Sequence, residues 1–132
     1  MRTTKFRAWD KENKKMIYSD TKLDEYLCIS LSGDVGTITN DKGTRCYDNH
    51  IPLQFTGLKD KNGKEIYEGD IIHFEDDEPF NGEVVWDRSG WAVRYFITFN
   101  GYEYLRGLEL NDLKENEIIG NIYQNKELLT NK

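Results

Sequence analysis

Leu58-Lys59-Asp60-Lys61-Asn62-Gly63-Lys64-Glu65-Ile66-Tyr67 reads as a β-hairpin, and Gly69-Asp70-Ile71-Ile72-His73-Phe74 as the strand that follows it. Asn-Gly tolerates positive φ at low steric cost, which a tight hairpin turn demands. Downstream, Gly82-Glu83-Val84-Val85-Trp86 is a strand, Asp87-Arg88-Ser89-Gly90 a turn, and Trp91 to Phe96 the antiparallel return. Residues 103–108 and 118–123 supply two more strands. Short strands punctuated by turn residues from residue 69 onward suit an SH3-like small barrel. Asp70 can hold the preceding turn, and Gly82 permits a sharp bend in the sheet.

Upstream of the hairpin the same alternation recurs. Lys5 to Trp9 places Phe6 and Ala8 on one face, with Trp9 near the strand end. Asp10 to Lys14 is a polar turn, and Met16-Ile17-Tyr18 returns. Residues 20–27 are ambiguous and admit one helical turn. Residues 27–31 and 36–39 form a second hairpin around Ser32-Gly33-Asp34, and 40–50 read as a polar loop. Only the tail, 123–129, looks briefly helical. The fold class is therefore mainly β, with a β-hairpin-rich part over 1–56 and a C-terminal SH3-like small barrel with a short tail over 57–132. The two could form one compact unit.

Composition limits the function. The chain has 132 residues, a net charge of -6, 37% apolar and 13% aromatic residues. So many aromatics exclude a disordered chain. No stretch approaches the ~20 apolar residues of a membrane-spanning helix. The N-terminus has no apolar signal segment, so the expected compartment is the cytoplasm of the cell that makes it. Cys28 and Cys46 lack metal-ligand spacing and read as small hydrophobes. Residues 1–56 carry nine basic and eight acidic side chains, whereas 57–132 carry nine and sixteen. Nearly all the negative charge thus lies in the second half, which argues against nucleic acid as a partner.

Catalytic constellations are absent from the pattern. His50 and His73 are the two histidines, and neither lies near a nucleophile elbow. No phosphate-binding glycine loop occurs. Glu75-Asp76-Asp77-Glu78 lacks the calcium-loop spacing, so no metal or other cofactor is expected. Binding chemistry concentrates instead in Trp86, Arg88, Trp91, Arg94, Tyr95, Tyr104 and Arg106. Aromatic rings interleaved with Arg suit nucleobase stacking or protein hot spots. Across a turn at Ser89-Gly90, Trp86 and Trp91 should be neighbours, and Arg94 should share a face with Tyr104 or Arg106. Alternatively, one Trp simply plugs the barrel. Trp9 and Tyr18 are candidate anchors for contact between copies.

Three blocks carry a family resemblance: KFRAWDKENKKMIY at 5–18, LQFTGLKDKNGKEIYEGDIIHF at 53–74 and IIGNIYQNKELL at 118–129. Together they resemble the YopX family of bacteriophage and prophage proteins. That resemblance implies a mainly β fold with a C-terminal SH3-like barrel, and self-association. It carries over no catalytic motif. The expected function is that of a non-enzymatic phage accessory protein, working in the cytoplasm of a bacterial host. It would act by contact with itself as a homo-oligomer and with a host or phage protein. Alternatives are a sponge for a nucleotide-like immune signal and a single-stranded nucleic-acid-binding barrel.

Overall fold

The computed structural model describes residues 5–18, 25–29, 35–39, 43–47, 50–88, 90–96, 103–108 and 113–129. Side chains are described outside the three strands between residues 25 and 47, Phe96 also excepted. The chain divides into two compact units, Met1–Phe55 and Thr56–Lys132.

In the first unit, β1 (Phe6–Asp10) lies between β2 (Lys15–Tyr18) and the first residues of β6 (His50–Lys59), all antiparallel. The β1–β2 turn is built by Asp10. Its Oδ1 accepts the Glu12 and Asn13 backbone N–H groups at 3.0 and 3.1 Å, and its Oδ2 accepts from Asn13 Nδ2 at 2.8 Å. This is the Asx turn that Asp favours. The Asn13 side-chain bond is the main reason the Asp10 carboxyl sits below its usual pKa. The sequence pattern gives β1 one buried face, but Arg7, Ala8, Trp9 and Asp10 are all buried. A strand covered on both faces loses its alternation. Next come β3 (Glu25–Ile29), β4 (Val35–Thr39) and β5 (Gly43–Tyr47), a three-stranded antiparallel sheet. Residues 25–27 of the ambiguous segment 20–27 are therefore strand rather than a helical turn, and 43–47 and His50 of the expected loop 40–50 are strand; the rest of both segments lies outside the described residues. The Ser32-Gly33-Asp34 turn lies outside the described residues.

In the second unit, the end of β6 forms a hairpin with β7 (Glu65–Tyr67). Gly63 takes φ 79° in the turn, as the Asn-Gly dipeptide predicts. Beyond it, β8 (Asp70–Phe74), β9 (Phe80–Asp87), β10 (Gly90–Phe96), β11 (Glu103–Gly107) and β12 (Glu117–Asn121) form one antiparallel sheet. Its order is β11-β10-β9-β8-β12. The tail carries only a 3-10 turn, Lys126–Leu129. The mainly β expectation therefore holds, and the sheet curls into a half-barrel. Ile66, Ile72, Phe74, Val84, Val93 and Leu113 form the core.

Two buried carboxylates organise the turns of this unit. Asp70 Oδ2 accepts the Tyr67 N–H at 2.8 Å, while Gly69 donates to the Val84 carbonyl and accepts from Ile122. Asp60 Oδ1 accepts the N–H groups of Asn62 and Lys64, both at 2.9 Å, and its Oδ2 accepts that of Ile118 at 3.0 Å. Lys61 N–H also donates to the Asn116 carbonyl. The hairpin loop thereby covers the outer edge of β12.

Two glycines are required for different reasons. Gly63 has open space where a Cβ would point, but its φ is left-handed; a Cβ on Gly82 would instead collide with the Val93 side chain. Gly63→Val should cost on the order of 1 kcal/mol or more, and Gly63→Asn much less, because Asn tolerates that region. Urea denaturation checks this, and equal costs for the two variants would contradict the backbone explanation.

Candidate binding surface on the second unit

Where β9 gives way to β10, Asp87 lies opposite Gly90. Trp86 and Trp91 are register partners one step further in. Their rings meet edge to face, 4.9 Å between centroids at 77°. Such geometry is favoured by the ring quadrupole. The two rings nevertheless play different parts. Trp91 packs against the core cluster, whereas Trp86 is 55% exposed. The two rings share one face of the sheet, and it is Trp91 that joins the core. Arg88 is exposed in the turn beside them.

Tyr95 and Tyr104 lie toward the far end of the sheet. They stack at 5.7 Å and continue a row through Phe80 (4.1 Å from Tyr95) to Phe74 (4.8 Å from Phe80). Arg106 stands on the same face as this row. Its guanidinium lies 5.4 Å from the Phe74 ring centroid, and Nη1 meets Asp76 Oδ2 at 3.0 Å. A side chain from one edge strand thus reaches the end of β8, which is how the curl is braced.

Arg94 is a correction. It pairs with Leu105 across β10–β11, so alternation places it on the face opposite Tyr104 and Arg106. There it reaches Glu83 and Glu103, each at 3.4 Å. The register, which the sequence does not display, decides this. The seven candidates therefore divide into the Trp86–Arg88–Trp91 end, the inward aromatic row with Arg106, and Arg94 on the other face. In the first unit, Trp9 is only 7% exposed, and Tyr18 is half-buried with its ring 6.0 Å from the Arg7 guanidinium. Trp9 is thus a core residue of the single chain.

Sequence reasoning gave His73 no partners. Its Nδ1 lies 2.7 Å from Asn81 Oδ1, and its Nε2 lies 2.7 Å from Glu75 Oε1. Asn81 Nδ2 donates to the Leu128 carbonyl, which orients the amide and leaves its oxygen for the histidine. Two acceptors on one imidazole favour the doubly protonated form. The Asn81 bond, then Glu75 and the nearby Glu117, raise the His73 pKa above its ordinary value against an opposing effect of burial. No group of three His, Cys, Asp or Glu among the described residues could hold a metal ion. No helix among them is long and apolar enough to cross a membrane.

The YopX protein family model matches residues 5–130. The chain belongs to the YopX family. Two solved structures share the fold. Protein EF1440 from Enterococcus faecalis aligns with a TM-score of 0.67 at 23% identity, covering 98% of this chain and 100% of that one. YopX from Bacillus subtilis aligns with a TM-score of 0.64 at 24% identity, again covering 98% and 100%. No curated protein matches. Family membership brings the fold and no activity.

The His73 arrangement has a signed consequence. A folded-state pKa above the unfolded value adds stability that is full below the unfolded pKa and is lost as pH rises through the folded one. Unfolding free energy should therefore decline from pH 6 toward pH 8 in the native protein, and His73→Gln should flatten that decline. Denaturation at several pH values checks it; an identical slope in the variant would contradict it.

Proposed function

We propose that the chain works by protein–protein contact rather than catalysis, as an accessory protein of phage or prophage origin in a bacterial host cytoplasm. It assembles with itself and docks on a host or phage protein. The observation that carries this reading is Trp86, a large apolar ring 55% exposed and held edge to face by a core-anchored neighbour. Such a ring presents apolar area without losing much conformational entropy on binding, and Trp is enriched among interface hot spots. Supporting the non-catalytic part, Asp60 and Asp70 are buried and bonded to backbone N–H groups of turns, and His73 is bonded at both nitrogens.

A lysate comparison tests the docking half. Trp86→Ala removes a half-exposed ring with its edge-to-face contact, and should lower the melting temperature by a few degrees while leaving the protein folded. Immobilised native protein should retain a host or phage protein that Trp86→Ala retains at least about tenfold less. A nucleotide panel should leave the melting temperature of both unchanged. Equal retention by the two proteins would contradict the reading. So would a nucleotide-induced rise in melting temperature that Trp86→Ala and Arg88→Ala both abolish, which is the behaviour of a small-molecule sponge.

A further inference from the structure

The two edges of the second unit's sheet differ. Outside β12 the 60–62 loop donates and accepts hydrogen bonds. Outside β11 no described strand pairs. The direction of the β11 backbone groups follows from one bond: Leu108 N–H donates to the Trp91 carbonyl at 3.0 Å. In an antiparallel ladder the inward and outward residues alternate. Leu108, Arg106 and Tyr104 therefore bond toward β10, and Gly107, Leu105 and Glu103 turn their N–H and C=O groups outward. Leu105 is 55% exposed, and Glu103 and Gly107 are exposed too. The strand contains no Lys or Pro, and of its two charged side chains Arg106 is turned inward to Asp76 while Glu103 pairs with Arg94.

We propose that β11 pairs antiparallel with β11 of a second copy of this chain, about a two-fold axis at Leu105. This specifies the self-assembly half of the proposed function. The segment Glu103-Tyr104-Leu105-Arg106-Gly107 is complementary to itself in that register. Leu105 meets Leu105 of the second copy through outward N–H and C=O groups, and the two exposed side chains cover each other. Glu103 falls opposite Gly107, so no carboxylate faces another. Tyr104 falls opposite Arg106 on the other face, an aromatic beside a cation. Shifting the centre to Glu103 would set the two carboxylates against each other, which is destabilising. An isologous contact of this kind closes and yields an even number of chains. The acidic balance of residues 57–132 opposes the approach of two such units, so added salt should strengthen the pairing by screening.

Gly107 supplies the test of register. It has ordinary φ and open space where a Cβ would point, so either charge can be placed there without strain. Light scattering after size exclusion at tens of micromolar should give an even multiple of 15.5 kDa for the native protein. Gly107→Lys, opposite Glu103 of the second copy, should tighten association roughly threefold to tenfold, and Gly107→Glu should weaken it by a similar factor. Leu105→Lys should give a folded monomer whose melting temperature, unlike that of the native protein, does not depend on protein concentration. A native monomer, an odd-numbered ring, or equal responses to the two Gly107 variants would overturn the proposal. Such a result with Trp86-dependent capture intact would leave the docking half of the proposed function standing. Loss of capture with the Gly107 responses intact would do the reverse.

Discussion

A single buried carboxylate, that of Asp60, holds the second unit together at its least regular point. One oxygen satisfies two N–H groups of the Asn62-Gly63 turn, and the other satisfies Ile118, 58 residues away. Hydrogen bonds to a charged acceptor contribute about 1.5–3 kcal/mol each, and leaving their donors unsatisfied costs as much again. The same group therefore shapes a local turn and closes a sheet edge. With β12 covered from the hairpin loop, β11 is the edge of that sheet outside which no described strand lies. The asymmetry between the two edges gives the fold a direction for association.

Much of the fold is legible in the residues. Asn62-Gly63 marks its turn through backbone chemistry alone, and Trp86 and Trp91 fall opposite each other by counting from Gly90. What escapes is whatever depends on a third strand. The face of Arg94 is set by pairing with Leu105, across a connection whose length carries no register signal. The pattern of β1 misleads because cover on both faces buries Trp9 beside Ala8. β5 hides in the polar run Gly43-Thr44-Arg45-Cys46-Tyr47, since a strand needs partners more than apolar residues. Asp60 reads as a turn residue, and its bond to Ile118 belongs to tertiary structure.

The candidate surface shows the same division. Sequence gathers seven aromatic and basic residues into one stretch, and the sheet distributes them by alternation. Arg106 and the Tyr95–Tyr104 stack turn inward, where they brace the curl against Phe74 and Asp76. Trp86 and Arg88 are left at the hairpin end. Composition alone thus does not show which of the seven share a face. Leu105, at an exposed edge position, is not legible in the sequence, because an isolated Leu in a strand has no distinguishing mark until the order of strands is known.

Amide hydrogen exchange, followed residue by residue over a range of protein concentrations, tests the edge asymmetry most directly. The Ile118 amide, held by Asp60 within one chain, should be protected at every concentration. The Leu105 amide, which points outward from β11, should exchange freely in dilute solution and gain protection as concentration rises. A Leu105 amide that remains unprotected at the highest concentration would contradict the account, as would an Ile118 amide exchanging as fast as Leu105 in dilute solution.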